Sequence, residues 1–270
     1  MTEEDTSNKI ADALKINPTT IERRLTAFIK KKVKEAGANG VVIGLSGGMD
    51  SSVAAFLCVK ALGAKKVIGI SMPEANVTDP HDVSDAREVA EKLGIDFRVI
   101  DITPAVECIR RNVGNYKSGA TLANANIKPR IRMVILYYYA NLMNRLVVGT
   151  SNRSELRTGY FTKYGDGASD MLPLGSLYKT QVRQLAAHLK IPKRITDKIP
   201  TAGLWKGQTD EGELGIQYEK LDMILAGLDL GLKPKTIAAS VGVQISKVKL
   251  FVERERKTLH KLRTPDIPKL

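Results

Sequence analysis

The sequence predicts an α/β fold, a doubly wound parallel sheet with an appended C-terminal helical part. In the first part of the chain, short apolar runs alternate with longer segments of helical periodicity. Strands separated by helices require crossover connections and therefore parallel pairing. After about Tyr160 the apolar runs give way to loops and helical segments. We therefore expect a single domain over residues 1–270, with an α/β core at 17–160 and a helical part at 161–270.

The core is predicted to begin with a helix. Asn17 is a favourable N-cap residue, Pro18 is tolerated in a first helical turn, and apolar residues recur at helical spacing up to Gly37. Residues 40–45 follow as an apolar run with glycine, which is typical of a parallel strand buried on both faces. The later strands are predicted at 67–70, 97–100 and 146–148, and the helices at 52–62, 84–93, 105–111 and 122–144.

The composition is that of a globular protein, but the charge balance is strongly basic. Hydrophobic residues make up 43% and charged residues 26% of the chain, and neither a membrane span nor a secretory signal is apparent. We expect a cytoplasmic protein without a membrane partner. The net charge of +13 is compatible with a nucleic-acid partner, with a polyanionic small molecule as partner, or with a role in solubility alone. Aromatic residues amount to only 5%, which argues against a surface that stacks single-stranded bases.

The loop after the first predicted strand is the strongest signal for a binding site. Its glycines allow the backbone to approach phosphate oxygens, and the next helix directs its N-terminal amides to the same place. Asp50 would repel phosphate unless a cation lies between them, so the loop implies Mg²⁺. The Gly-Lys-Ser/Thr ending of kinase-type loops is absent. The loop and its flanks comprise Gly44, Leu45, Ser46, Gly47, Gly48, Met49, Asp50, Ser51 and Ser52.

This loop resembles the pyrophosphate-binding motif of the ATP pyrophosphatase superfamily. Members of that superfamily cleave ATP to AMP and pyrophosphate while they adenylate a second substrate. They include NAD, GMP and asparagine synthetases as well as tRNA-modifying enzymes, and the loop by itself does not distinguish among them.

A second group of motifs resembles the NAD synthetase family in particular. The stretch Gly149-Thr150-Ser151-Asn152-Arg153-Ser154-Glu155 is followed by the matching segments 159–167, Asp170, 173–179, 200–204 and His260-Lys261. These matches occur in the family's order and extend over nearly the whole chain. The resemblance implies an adenine nucleotide alpha hydrolase-like fold.

The reaction implied by the resemblance is the ATP-dependent amidation of nicotinic acid adenine dinucleotide (deamido-NAD) to NAD. The substrate carboxylate would attack the α-phosphate of ATP, and ammonia would displace AMP from the adenylate. Glutamine-dependent members carry an amidase domain with a reactive cysteine. This chain has no room for that domain, and neither Cys58 nor Cys108 looks activated, so we expect free ammonia as the donor. The resemblance also implies a homodimer with substrate sites at its interface.

The resemblance implies roles for individual residues as well. ATP would be bound by the loop residues 44–52 together with Thr150, Lys179 and Thr201. Deamido-NAD would be bound by Asn126, Arg130, Lys163, Asp170, His260 and Lys261. Asp50 and Glu155 would hold Mg²⁺, and with Lys179 they form the implied catalytic group. Many bacterial members have an ATP-contacting Arg where this chain has Ser71, so Ser71 is left out of the predicted site.

Two other functions agree with parts of the sequence. A tRNA-modifying or other nucleotide-activating member of the superfamily would explain the basic charge, although the chain length leaves little room for an RNA-binding domain. Residues 234–252 resemble a helix-turn-helix, which would suit a DNA-binding regulator. An ordinary helical hairpin packed on the core is the simpler interpretation, and we expect no nucleic-acid partner.

Residues 202–215 are predicted to form a mobile lid. The segment is rich in glycine, carries both charge signs and shows no apolar periodicity, so it has few means of packing stably. A reactive adenylate needs shielding from water, and Trp205 would anchor the segment when it closes. A connector without a catalytic role is the alternative.

Overall fold

A parallel sheet of four strands forms the centre of the computed structural model, which describes residues 2–268. The strands are β1 (Val41–Gly44), β2 (Val67–Ser71), β3 (Asp96–Val99) and β4 (Leu146–Val148), in the spatial order β3-β2-β1-β4. All neighbouring strands pair in parallel. The predicted strands and the predicted parallel sheet are therefore confirmed.

Helices connect and cover these strands. They are α1 (Glu3–Ala13), α2 (Pro18–Glu35), α3 (Met49–Leu62), α4 (Pro80–Leu93), α5 (Thr103–Asn112), α6 (Thr121–Met143), α7 (Arg153–Thr158), α8 (Lys179–His188), α9 (Lys193–Thr196), α10 (Asp210–Leu214), α11 (Tyr218–Asp229), α12 (Pro234–Val241) and α13 (Ile245–Thr258). None of the helices within residues 2–268 combines the length and apolarity needed to cross a bilayer.

The helix predictions need correction at several points, among them the start of α4, which is Pro80 and not residue 84. The helix predicted from Ser52 begins at Met49, because Gly48 takes the extended N-cap conformation and Asp50 already lies in the first helical turn. Helix α1 was not predicted, because its sequence is largely polar. Its N-terminus is fixed by a capping box in which Thr2 and Asp5 exchange hydrogen bonds.

The side chains of the central strands point alternately to the two faces of the sheet, as a strand requires. Val41 and Ile43 pack with α2, α3, α4 and α8 in one apolar cluster, whereas Val42 packs with α5 and α6 in another. Helices therefore cover both faces of the sheet, which confirms the doubly wound arrangement.

The order of the strands creates a crevice beside β1. The chain proceeds from β1 to β2 and β3 on one side and then returns to place β4 on the other side of β1. In such sheets, ligands bind outside the carboxyl ends of the strands where the direction of winding reverses. The loop that begins at Ser46 and the segment that begins at Gly149 follow β1 and β4 at this point.

The C-terminal helices build an apolar cluster of their own. Ile10 of α1, Tyr218 and Leu221 of α11, Ile237 of α12 and Phe251 of α13 are all buried in it. The segment that resembles a helix-turn-helix is thus a hairpin, α12–α13, whose buried side chains, among them Ile237 and Phe251, pack against the rest of the protein. This packing agrees with the simpler interpretation of residues 234–252.

Candidate functional site

The phosphate loop between β1 and α3 has a backbone path that only glycine follows easily. Gly47 has a φ of +77°, and a Cβ atom at this position would collide with the carbonyl oxygen of Asp82. Gly48 is the N-cap of α3 and has no side chain to satisfy the first-turn amides. Those amides have no partner within the helix, and their residues Met49, Asp50 and Ser51 line a cavity. The local sequence thus leaves donors and a helix dipole available to an anion.

Serine hydroxyls complete the loop in two different ways. The Oγ atoms of Ser46 and Ser51 lie 3.1 Å apart at the cavity, and Ser51 also donates to the carbonyl of Gly48 at 3.0 Å. Ser52 is fully buried and donates to the same carbonyl at 2.8 Å. Ser52 therefore stabilises the loop from the side away from the cavity. The sequence predicted that Ser52 would contact ATP, but it does not line the cavity.

The three predicted catalytic residues are brought together from three helix N-termini. Lys179, the first residue of α8, places Nζ 2.5 Å from Oδ2 of Asp50 and 3.7 Å from Oε1 of Glu155. Asp50 and Glu155 lie in the first turns of α3 and α7. Residues far apart in the sequence thus meet at one point beside the carboxyl ends of β1 and β4.

The helix that carries Glu155 starts with a capping box. The side chain of Asn152 accepts from the amide of Glu155, and Glu155 accepts from the amide of Asn152, both at 3.1 Å. The amide Nδ2 of Asn152 donates to Oδ1 of Asp50, also at 3.1 Å. Asn152 therefore joins the two carboxylate-bearing helices, a role that sequence reasoning missed although the Asn-x-x-Glu spacing is a visible capping signal.

Burial and mutual charge determine the electrostatics of this group. Burial alone would lower the pKa of Lys179, but the negative charges of Asp50 and Glu155 outweigh it and hold that pKa above its usual value. Burial raises the pKa of Glu155 to about 8; Lys179 opposes this shift, and the nearby Asp50 charge adds to it. Two carboxylates therefore share one buried ammonium, and further positive charge beside them would be favourable.

A cavity of about 1380 Å³ opens beside this group. It exceeds the usual size of a small-molecule pocket, roughly 300–1,000 Å³, so it offers space for more than one ligand. The predicted site residues that line it are Gly44, Leu45, Ser46, Gly48, Met49, Asp50, Ser51, Asn126, Arg130, Thr150, Glu155, Lys163, Lys179, Thr201, His260 and Lys261. Gly47, Ser52 and Asp170 are the predicted residues that do not line it.

Five of the six predicted dinucleotide-binding residues line this cavity, and all of them except Asn126 are basic and form one basic group. Lys163 donates from Nζ to the carbonyl of His260 at 2.9 Å, and Arg130 donates from Nε to the carbonyl of Lys163 at 3.3 Å. Lys261 donates to two backbone carbonyls of the segment before Lys163. Asn126 accepts from the hydroxyl of Thr162 at 2.7 Å. The C-terminal turn is thus tied to the segment after α7, and that segment is tied in turn to α6.

Asp170 lies outside this cavity, contrary to its predicted place among the other substrate residues. Its carboxylate accepts from the amide of Val147 at 2.6 Å and from the hydroxyl of Tyr137 at 3.2 Å. These bonds tie the residue to β4 and α6, and its side chain remains exposed. Within one copy of the chain, Asp170 therefore lies apart from the cavity that Lys163 lines.

Lys198 is a cavity residue that sequence reasoning missed. It donates from Nζ to the carbonyl of Gly47 at 3.2 Å and forms ion pairs with Asp82 at 2.6 Å and Asp85 at 2.5 Å. It therefore connects the phosphate loop to α4 and to the segment that leads to Thr201. A single lysine between a helix and a loop carries no sequence pattern from which this contact could be predicted.

The surroundings of Ser71 show another basic residue at the cavity. Ser71 is buried at the end of β2, and Arg132 of α6 donates from Nε to the carbonyl of the next residue, Met72, at 3.0 Å. Both Ser71 and Arg132 line the cavity. Sequence reasoning did not select Arg132, because an arginine inside a long helix has no distinctive pattern.

Comparison with known proteins agrees with this geometry. A family model of NAD synthase matches residues 21–265. The chain is 48% identical over 253 residues to an NH(3)-dependent NAD(+) synthetase of Methanocaldococcus jannaschii, with 93% of this chain and 96% of that protein covered.

Solved structures give the same family. The structure of an NMN synthetase from Francisella tularensis has a TM-score of 0.84 and 36% identity, and the match covers 95% of this chain and 100% of that one. An NH3-dependent NAD synthetase from Campylobacter jejuni has a TM-score of 0.79 and 31% identity, with 94% and 100% covered. From the family match over most of its length and the site at its switch point, we conclude that the chain belongs to the NAD synthase family.

Proposed function

We propose that this chain catalyses the ATP-dependent amidation of deamido-NAD to NAD, with ammonia as nitrogen donor. The observation that carries the proposal is the position of Lys179, held by Asp50 and Glu155 beside a phosphate loop. The cavity at this point continues to the basic group around Lys163 and Lys261. One end therefore suits a triphosphate and the other suits a second anionic nucleotide.

The chemistry requires positioning and charge compensation. The carboxylate oxygen of deamido-NAD forms a bond to the α-phosphorus of ATP while the bond to pyrophosphate breaks. The first-turn amides of α3 and the ammonium of Lys179 offset the charge on the departing pyrophosphate. Ammonia then attacks the acyl carbon of the adenylate, AMP leaves, and the nitrogen loses a proton to give the amide.

Magnesium fits the donor set of the site only together with ATP. Within residues 2–268, no group of three or more His, Cys, Asp or Glu side chains is arranged to hold a metal ion. Mg²⁺ in phosphate sites is commonly held by one or two carboxylates together with substrate phosphates, and Asp50 and Glu155 supply two carboxylates. Bound there, Mg²⁺ would supply charge neutralisation for the phosphates.

Free ammonia is the proposed nitrogen donor because neither cysteine is suited to release it from glutamine. Cys58 is fully buried, and burial raises the pKa of its thiol to about 12. Cys108 is exposed on α5 and does not line the cavity. A thiol that attacks an amide must be an accessible thiolate.

A homodimer is proposed from an exposed apolar face on α6. Val134, Tyr138 and Leu142 follow each other at intervals of four residues and are 60%, 62% and 66% exposed. Side chains at this spacing lie on one face of a helix, and exposed apolar faces commonly mark protein contacts. Asp170, bonded to Tyr137 of the same helix, would then lie near the second copy and could reach its substrate.

A second candidate substrate comes from the Francisella tularensis structure, which is named an NMN synthetase. The mononucleotide would use the same carboxylate chemistry but fill less of the cavity. The purified chain should therefore be supplied with ATP, Mg²⁺ and ammonium, and with deamido-NAD or nicotinic acid mononucleotide in parallel. We expect NAD and AMP in equal amounts and a higher kcat/KM for the dinucleotide. A preference for the mononucleotide would overturn the proposed substrate, and product formation from glutamine alone would overturn the proposed donor.

A further inference from the structure

Asp222 of α11 is a fully buried carboxylate that does not line the cavity. One of its oxygens accepts from the hydroxyl of Ser154, and the other accepts from the amide of Thr180 at 2.8 Å. A buried carboxylate is costly unless hydrogen bonds satisfy it. The place of Asp222 in the fold is therefore determined by these two donors.

Both donors stand directly beside catalytic residues. Ser154 precedes Glu155 in α7, and Thr180 follows Lys179 in α8. The hydroxyl oxygen of Ser154 also accepts from the amide of Lys179 at 3.0 Å. Asp222 and Ser154 thus satisfy the first two amides of α8, which have no partner within their own helix.

This arrangement links the two helix N-termini that carry Glu155 and Lys179. Hydrogen bonds to a charged group are directional and stronger than those between neutral groups. The apolar neighbours of Asp222 on α11, such as Leu221 and Leu225, pack the helix but make no directional bond to either N-terminus. The carboxylate therefore fixes the relative position of α7 and α8 in a way that apolar packing does not.

We propose that Asp222 is a positioning residue that acts through Ser154 and Thr180 to set the distance between Glu155 and Lys179. The inference rests on the proposed function, because it assigns these two residues to the reacting phosphates. Asp222 itself touches neither substrate. Loss of Asp222 should slow the step in which pyrophosphate departs more than it weakens the binding of deamido-NAD. The basic residues proposed to bind deamido-NAD lie on other segments of the chain.

The test compares Asp222→Asn, Ser154→Ala and the double variant with Leu221→Ala, a matched control at the neighbouring buried position. We expect kcat to fall by about 10- to 100-fold in the first two, since small misplacements of catalytic groups cost that much. The KM for deamido-NAD should stay within about twofold, because the binding group is unchanged. The double variant should lose little more than Asp222→Asn alone, because the two residues act as one unit. Leu221→Ala should lose stability but keep its kcat.

Three results would overturn the inference. They are a normal kcat in both single variants, a loss in Leu221→Ala as large as theirs at equal stability, or fully additive losses in the double variant. Ser154→Ala keeps the bond from Thr180 to Asp222, so it remains a test if Asp222→Asn does not fold. A wild-type chain without NAD formation would contradict the proposed function instead, as would an active Lys179→Ala variant.

Discussion

At the scale of single residues, the ammonium of Lys179 and the carboxylates of Asp50 and Glu155 depend on one another. One ammonium faces two carboxylates, so removal of Lys179 would leave Asp50 and Glu155 without compensation, and unpaired buried charges are strongly destabilising. Neutralising one carboxylate leaves Lys179 paired with the other. The effect of each carboxylate on turnover can therefore be measured in a protein that still folds.

Asp50→Asn and Glu155→Gln should each lower turnover by at least about 100-fold, because each removes a carboxylate proposed to hold the cation at the phosphates. Their unfolding midpoints should remain near that of the wild type. Turnover and thermal unfolding are measured with Mg²⁺ present, and Asp12→Asn, an exposed carboxylate on α1, is the control. Near-normal turnover in either variant would remove that residue from the proposed metal site.

Lys261 presents a different case, since its ammonium is already engaged. It donates to the carbonyls of Gly159 and Phe161 at 2.7 and 2.9 Å, and burial lowers its pKa. Lys261→Ala should raise the KM for deamido-NAD by about tenfold and the KM for ATP much less. Lys257→Ala, an exposed lysine on α13, is the control. Equal effects on both KM values would mean that Lys261 only braces the C-terminal turn.

At the scale of elements, the segment 202–215 is more ordered than the sequence indicated. It contains the short helix α10, and Gln208, Asp210 and Leu214 are buried. The carbonyl of Leu204 accepts from Lys128, which also forms a buried ion pair with Glu74 at 2.5 Å. The first part of the segment lines the cavity, so a lid would comprise mainly 202–207.

Amide hydrogen exchange tests the lid directly. Residues 202–207 should exchange quickly in the free protein and become protected when ATP and deamido-NAD bind together, since few apolar contacts hold them otherwise. The amides of α10 are the internal control and should change less. If both ligands together leave the exchange of 202–207 unchanged, the segment is a connector and the lid prediction is wrong.

Local signals explain which elements could be predicted. The strands and α2 were predicted because buried apolar runs and the Asn17-Pro18 start are encoded within a few residues. Helix α1 was not predicted, because it is stabilised by the burial of Ile10 against α11 and α12, which lie far away in the sequence.

At the scale of the whole molecule, the candidate site also contains some residues that local sequence patterns mark and others that they do not. The glycines of the phosphate loop and the motif before Glu155 are contiguous patterns, so their place could be predicted. Lys198 and Asp222 act through partners distant in the sequence, and no periodicity marks them. Asp170 was predicted to bind deamido-NAD, but a single copy of the chain does not bring it to the cavity.

Asp170 also leads to a prediction for the whole molecule, which concerns the contact between two copies of the chain. If α6 forms the contact between two copies, Tyr138→Glu should place a charge in an apolar interface and produce a monomer, because a buried unpaired charge is costly. Sedimentation velocity should show a dimer for the wild type and a monomer for the variant. Leu250→Glu, a similarly exposed apolar position on α13, should remain dimeric. Since Asp170 would serve the second copy, the monomer should also bind deamido-NAD more weakly, by about tenfold or more in KM. A monomeric wild type, or a monomeric Tyr138→Glu with unchanged KM, would contradict this arrangement.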